Sequence, residues 1–241
     1  MTACSANQDL DCHMKELTKE DKLDIHFPDV CRSNDEEQPS RKPTDQNDLA
    51  LLLRTINFAA QKHSFQRRKD PEKTPYINHP IGVAHILASE GGITDVKVLQ
   101  AAILHDTVED TDTTLDEIEE EFGATIRHTV EEVTDKKALS YQERKAHQIA
   151  RAPLVSERAK LVKLGDKLHN LRDLQRVRPV DWSQERVHQY FIWSGKVIEG
   201  LIGTNLPLEE KLRQLLATED VILPTERKAL SILEPSVSPS L

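Results

Sequence analysis

The chain has 241 residues, enough for one sizeable domain or two small ones with a buried core. With only 8 Gly and 4% aromatic residues beside 30% charged residues, the composition argues against a turn-rich β-sandwich and favours packed amphipathic helices. The net charge of −9 argues against a nucleic-acid polymer as partner, because such binding depends on neutralising phosphates. A small anionic ligand is compatible with this charge where a metal ion and local Lys or Arg side chains offset it.

The positions of the cysteines and the hydropathy of the chain indicate in which cellular compartment the protein lies. Cys4, Cys12 and Cys31 lie near the N-terminus, match no Cys-x-x-Cys zinc pattern and leave the rest of the chain without any cysteine to form a disulfide. We therefore expect a reducing compartment, the cytoplasm. The sequence has no apolar run of about 18 residues and no apolar signal core, so we predict neither a membrane span nor a secretory signal.

Composition divides the chain into three parts. Residues 1–44 are polar and sparse in apolar periodicity, which predicts a disordered N-terminal extension. Residues 45–223 carry apolar residues at helical spacing and are predicted to form one helical domain. Residues 224–241 contain a Pro/Ser-rich stretch, and we expect a flexible C-terminal tail.

Several helices are predicted within the domain. Apolar residues from Leu49 to Ala60, Leu53 among them, predict a first core helix. Pro80 fits the first position of the next helix, which places His79 at its N-cap. A helix from 95 to 108 follows, and Thr114 with Glu117 forms the pattern of a capping box. Further helices are predicted around 126–133, 141–152, 159–173, 187–201 and 207–216.

Polar residues interrupt two of the apolar runs. The run 99–104 ends in His105 and Asp106, and Glu109 and Asp110 follow one turn later. Four such groups at the tip of a buried helix are costly unless a cation or a hydrogen-bond network compensates them. Asp166 interrupts the apolar face of 161–171 in the same way. The pattern favours a metal site, and the alternatives are an acidic loop for 109–112 and a surface ion pair for Asp166.

Three separated motifs together resemble a known family. They are His79-Pro80, then His105-Asp106 with Glu109-Asp110, then the run 164–170, Leu-Gly-Asp-Lys-Leu-His-Asn. In order and spacing they resemble the hydrolase domain of the RelA/SpoT family within the HD superfamily, and most of all its stand-alone metazoan members. The resemblance covers roughly residues 48–216, a span typical of one domain. Gly165 departs from it, because the family usually has alanine there.

The resemblance implies a fold and a metal site. The fold is all-α, a single HD-domain helical bundle that acts as a metal-dependent phosphohydrolase, here over 45–223 with flexible tails on both sides. One divalent ion, usually manganese, is bound by a set of four residues, and ligand types alone also admit zinc and iron. The implied ligands are His79, His105, Asp106 and Asp166.

The resemblance also implies an activity. Members of this family remove the 3′-pyrophosphate from guanosine tetraphosphate (guanosine-3′,5′-bis(diphosphate)), and related stand-alone enzymes act on NADPH as phosphatases. Glu109 and Asp110 match the catalytic acidic pair, and Arg68, Lys69, Asn170 and, less closely, Tyr190 match residues that contact the nucleotide. We therefore expect an enzyme whose partner is a small anionic nucleotide. NADPH phosphatase activity and a non-catalytic scaffold or sensor are the alternatives, and the sequence leaves the oligomeric state open.

Overall fold

A computed structural model describes residues 45–227, and within this range the protein consists of α-helices with one isolated β-bridge between Arg67 and Pro75. The predicted all-α fold is confirmed. The helices are α1 (Asp45–Lys62), α2 (Asn78–Ser89), α3 (Val96–Leu104), α4 (Thr107–Asp110), α5 (Leu115–Phe122), α6 (Ala124–Val133), α7 (Tyr141–Arg151), α8 (Glu157–Arg176), α9 (Gln184–Glu199) and α10 (Leu206–Ala217). No helix within 45–227 has both the length and the apolarity needed to cross a membrane.

The predicted termini lie mostly outside the described residues. The extension over 1–44 is not described, and the tail over 224–241 is described only as far as Arg227. There Glu226 accepts a hydrogen bond from Arg213 Nε at 2.7 Å. The domain boundaries that the composition suggests therefore stay predictions.

Capping side chains begin many of the helices. A side-chain oxygen accepts a first-turn backbone N–H in six of them, from Asp95, Thr114, Ser140, Ser156, Ser183 and Asn205. The predicted capping box at Thr114 and Glu117 is only half formed, because the Glu117 carboxylate pairs with Lys62 Nζ at 2.9 Å. A complete capping box begins α7 instead, between Ser140 and Glu143.

Helix α8 lies at the centre of the packing and contacts α2, α3, α6, α9 and α10. Its buried face includes Leu164 and Leu168. A Cβ on Gly165 would lie 3.0 Å from Leu87 and 3.1 Å from Val83, both on α2. Glycine at this position therefore lets α2 and α8 approach closely.

Two predicted helix boundaries were wrong. The helix expected over 95–108 is two helices, because the chain turns at His105 and Asp106. His105 Nδ1 donates to the Ala102 carbonyl and Thr107 Oγ1 to the Leu104 carbonyl, both at 2.7 Å, and these bonds occupy carbonyls that a continuing helix would use. Helix α2 begins at Asn78 rather than after His79, since a proline is tolerated throughout the first turn.

The prediction for α1 was right in type and partly wrong in burial. The helix forms and Ala59 is fully buried. Leu49 and Leu53, however, are 60% and 58% exposed. Helical spacing alone does not show which part of an apolar stripe finds a partner.

Candidate active site

A cavity of about 180 Å³ brings together residues from α2, the α3–α4 turn, α8 and α9. Eleven of its lining side chains are polar or charged, and these include most of the predicted site residues. The predicted residues that line it are His79, His105, Asp106, Glu109, Asp166, Asn170 and Tyr190. Tertiary structure therefore assembles motifs that lie up to 111 positions apart in the chain (190 − 79).

The predicted metal ligands form the tightest cluster in the cavity. His79 Nε2 lies 3.2 Å and His105 Nε2 3.8 Å from Asp166 Oδ1, and one ligand atom from each of the three lies within 4.8 Å of the others. Asp106 Oδ2 adds a carboxylate oxygen 3.0 Å from His105 Nε2 and 3.6 Å from His79 Nε2. The His79, His105 and Asp166 group could bind a divalent metal ion, with Asp106 beside it.

The orientation of His105 fits a bound cation. Its Nδ1 donates to the Ala102 carbonyl, so its Nε2 faces the two carboxylates. This Nε2 is buried and has no hydrogen-bond partner among residues 45–227. In the neutral ring it carries a lone pair opposite carboxylate lone pairs, an arrangement that requires a proton or a metal ion between them.

The charges of the predicted metal ligands also favour a cation between His105 Nε2 and the two carboxylates. Burial opposes ionisation of Asp106 and Asp166, yet His105 beside Asp106, and Lys167 beside Asp166, hold both pKa values below the usual range. Burial likewise opposes a charged His105, but Asp106 raises its pKa to about 9. Burial lowers the pKa of His79 and keeps it neutral, the form that binds metals.

Neighbouring side chains hold the two carboxylates in place. Tyr76 Oη donates to Asp106 Oδ2 at 2.6 Å. Asn170 Nδ2 donates to Asp166 Oδ1 at 2.6 Å, and Lys167 Nζ donates to Asp166 Oδ2 at 2.8 Å. These bonds orient the carboxylate oxygens towards the imidazole nitrogens before any ligand arrives.

His79 is oriented by a second histidine. Its Nδ1 lies 3.1 Å from Nδ1 of His169, which is neutral because burial lowers its pKa to about 4. With His79 as donor, its Nε2 carries the lone pair that a metal ligand needs. A Cβ on Gly82 would lie 2.3 Å from His169 Nε2, so glycine at 82 makes room for this ring.

The predicted acidic pair is separated in the structure. Glu109 lines the cavity, its Oε2 accepts from the Asp135 backbone N–H at 3.0 Å, and burial raises its pKa to about 6. Asp110 is exposed and does not line the cavity, and its Oδ2 accepts from Gln66 Nε2 at 2.8 Å. Only Glu109 is placed to meet a group inside the cavity.

The predicted nucleotide contacts are also divided. Asn170 and Tyr190 line the cavity, whereas Arg68 lies behind Asn170 and donates to its Oδ1 at 2.9 Å and to Asp173 Oδ2 at 2.8 Å. Lys69 is exposed and outside the cavity. The basic loop therefore reaches the site through Arg68 and its bond to Asn170.

Sequence reasoning missed several lining residues, namely Tyr76, Gln148, Lys163, Lys167 and Trp193. A signal existed for two of them, because Lys163, Asp166, Lys167 and Asn170 share one face of α8 at helical spacing. Trp193 packs against the core and also lines the cavity.

The structure and site together define a class of protein. The model of the HD domain family matches residues 55–191, the range that contains all four predicted metal ligands. The His79, His105 and Asp166 cluster and the all-helical scaffold agree with this match.

Full-length relatives narrow the class to a family. The chain is 63% identical over 169 residues to guanosine-3′,5′-bis(diphosphate) 3′-pyrophosphohydrolase MESH1 of Homo sapiens, covering 70% of this chain and 94% of the relative. Identity to the protein of the same name from Drosophila melanogaster is 53% over 166 residues, covering 69% and 93%. A solved structure of a metazoan ortholog of SpoT, which hydrolyzes ppGpp and plays a role in starvation responses, has a TM-score of 0.71 and 49% identity, and the match covers 76% of this chain and 100% of that one. The chain belongs to this family of metazoan SpoT orthologs, which confirms the predicted resemblance.

Proposed function

We propose that the protein is a hydrolase that removes the 3′-pyrophosphate of guanosine tetraphosphate, giving GDP and pyrophosphate. One observation carries the proposal: relatives that bear this activity in their names are 53% to 63% identical to this chain over the aligned residues, and the match extends over almost their whole length. The cavity supplies a suitable setting, since it combines a cluster of imidazoles and carboxylates with lysine side chains.

The proposed cofactor is one manganese ion, bound by His79, His105, Asp106 and Asp166. Imidazole and carboxylate ligands suit a divalent ion of this kind. When bound, such an ion polarises a phosphoryl oxygen and lowers the pKa of a coordinated water. The protein itself contributes the fixed orientation of the four side chains. Tyr76, Asn170, Lys167 and His169 hold Asp106, Asp166 and His79, and the Ala102 carbonyl holds His105.

Glu109 is the proposed general base. It lies in the cavity, its carboxylate is held by the Asp135 N–H, and its pKa of about 6, raised by burial, suits a group that accepts a proton near neutral pH. Asp110 is the proposed second member of the acidic pair, held at the edge of the site by Gln66. In this scheme Glu109 orients the attacking water and accepts its proton, whereas Asp110 contributes its charge from outside the cavity.

The proposed nucleotide contacts are Arg68, Lys69, Asn170 and Tyr190. Arg68 offers the bidentate geometry that phosphate favours, and its bonds to Asn170 and Asp173 place it next to the cavity. These residues bind and orient a small anionic nucleotide. NADPH and a non-catalytic scaffold role are not favoured, because the relatives described above are named for the pyrophosphohydrolase activity.

The test is pyrophosphate release from guanosine tetraphosphate by the purified full chain with manganese, with and without a chelator. We expect turnover that the chelator abolishes and that is lost in Asp106→Ala. Asp116→Ala, at an exposed aspartate in the first turn of α5, is the matched control and should keep wild-type turnover. Absence of turnover in a manganese-loaded wild-type protein would refute the proposal.

The cytoplasmic location stays a prediction, which subcellular fractionation can check.

A further inference from the structure

Lys163 is a buried cation that faces the cavity. It lies on α8 one turn before Asp166, it is 7% exposed, and it lines the cavity together with the metal-ligand cluster. Neither the motifs nor the mechanism above assigns it a role.

Lys167, one turn further along the same face, shows how a buried lysine is normally compensated. Its Nζ donates to Asp166 Oδ2 at 2.8 Å and lies 4.7 Å from the centre of the Trp193 ring. Lys163 has no ion-pair or hydrogen-bond partner for its side chain within residues 45–227. The two lysines therefore differ in that only Lys167 has its countercharge within the described protein.

The carboxylates whose charges act on Lys163 are those of Asp166, Asp135 and Glu109, and all three already have other partners. Asp135 Oδ2 accepts from Gln148 Nε2 at 2.8 Å, and Glu109 Oε2 accepts from the Asp135 N–H at 3.0 Å. Asp166 is bonded to Lys167 and Asn170. Each of the three acts on Lys163 only at longer range.

An uncompensated buried cation costs free energy of folding, so a site that keeps one needs an anion to offset that cost. Burial and the neighbouring Lys167 lower the pKa of Lys163 to about 8, which leaves the ammonium mostly protonated at neutral pH. Lysine is a compact point charge with three donors, and it binds phosphate groups in this form.

We propose that the Lys163 ammonium binds the pyrophosphoryl group of the substrate inside the cavity and holds the same group as the pyrophosphate product. The inference rests on the proposed function, since it names the residue that receives the leaving fragment. It predicts that a free pyrophosphate ion occupies the cavity of the manganese-loaded enzyme next to Lys163.

The test is a calorimetric titration of inorganic pyrophosphate into the manganese-loaded full chain, which needs no turnover. It compares wild type with Lys163→Met, which keeps the length of the side chain and removes its charge. Lys160→Met is the matched control, because Lys160 lies on the same helix outside the cavity. If the proposed function is wrong, wild type will not hydrolyse guanosine tetraphosphate. If this inference is wrong, wild type and Lys163→Met will bind pyrophosphate equally in the titration.

We expect Lys163→Met to bind pyrophosphate about 10- to 100-fold more weakly, the loss expected for one charge-assisted contact, and Lys160→Met to bind as wild type does. In the hydrolysis assay the same variant should be inhibited by pyrophosphate only at correspondingly higher concentration. Lys163→Met should unfold at or above the wild-type temperature, because it removes an uncompensated charge. Equal pyrophosphate affinity in wild type and Lys163→Met would overturn the inference, as would a lower unfolding temperature, which would assign the lysine to the fold.

Discussion

Two charged clusters join α2 to α8, and they differ in how completely their charges are paired. At the C-terminal end of α2, both Glu90 oxygens accept from Arg172 at 2.6 and 2.9 Å, and Lys211 Nζ lies 3.2 Å from Oε2. At the N-terminal end, in the cavity cluster of His79, His105, Asp106 and Asp166, His105 Nε2 is buried and has no hydrogen-bond partner among residues 45–227.

The Glu90 cluster stabilises the fold, whereas the geometry of the cavity cluster favours the binding of a ligand. The carboxylate of Glu90 has its cations beside it in the described chain, and they lower its pKa to about 2. The cavity cluster instead directs imidazole nitrogens and carboxylate oxygens at a common point, which favours occupation by a cation. Changes in the first cluster should therefore affect stability, and changes in the second should affect metal binding and turnover.

The largest expected effect is from Asp166→Asn in the cavity cluster. The substitution removes a carboxylate charge that faces both imidazoles, so we expect turnover to fall about 1000-fold or more through loss of electrostatic stabilisation and of the metal. Bound manganese and pyrophosphate release measured on the same samples check this. The exposed Asp181→Asn serves as the control and should behave as wild type. Full activity in Asp166→Asn would remove that residue from the ligand set.

Glu109→Gln and Asp110→Asn compare the two members of the acidic pair. We expect Glu109→Gln to lower kcat by about 100- to 10,000-fold with little change in KM, the range for loss of a general base. Because Glu109 must be deprotonated to accept a proton, wild-type kcat should rise with pH through about 6, and this limb should vanish in the variant. Asp110→Asn, exposed and outside the cavity, should have the smaller effect. Unchanged turnover in Asp110→Asn would remove Asp110 from the mechanism.

A smaller effect is expected from His169→Phe, which acts on the cavity cluster through His79. Loss of the contact to His79 Nδ1 should weaken manganese binding by about 10- to 100-fold, as is typical when a group that orients a metal ligand is removed. Direct manganese titration measures the change. The exposed His85→Phe on α2 is the control. Manganese affinity in His169→Phe equal to that of the control would show that His79 needs no orienting partner.

The smallest effect on activity, and a clear one on stability, is expected from Glu90→Gln. The folded-state pKa of Glu90 is about 2, below the ordinary glutamate value of 4.5. Ionised Glu90 therefore stabilises the protein above pH 4.5, and this stabilisation is lost as pH falls towards 2. We expect the variant to lose about 1 to 2 kcal/mol in free energy of unfolding at pH 7 and to keep wild-type turnover. Chemical denaturation at pH 7 and at pH 3 measures the free energy of unfolding, and the difference between variant and wild type should shrink at the lower pH. Pyrophosphate release measures the turnover. A difference independent of pH would contradict the role of the charge.

The sequence predicted the helices and the candidate ligands because both leave a local signal. Apolar periodicity marks the helices. His79, His105 and Asp106 stand out as polar residues at the edges of apolar runs, and Asp166 as one in the middle of an apolar face. The resemblance of three motifs then connected residues that no local pattern could bring together.

Other features depend on tertiary contacts that a one-dimensional pattern does not contain. The turn at His105 and Asp106 was missed because Val108 follows Leu104 at helical spacing, whereas side-chain bonds to the carbonyls of Ala102 and Leu104 end α3. Glu109 and Asp110 were treated as a pair, although adjacent residues on a helix point about 100° apart and only one faces the cavity.

Lys163 was missed for a related reason. A lysine in a sequence is normally expected at the surface, and only the packing of α8 shows that this one is buried.

The proposed hydrolysis requires a single metal ion in the cavity cluster. The most direct test is to titrate manganese into metal-free full chain and to measure bound manganese and pyrophosphate release from guanosine tetraphosphate in the same samples. We predict that both rise together and saturate at one ion per chain, and that neither does so in Asp166→Asn. Hydrolysis that proceeds before manganese is bound, or that requires a second ion, would contradict the account.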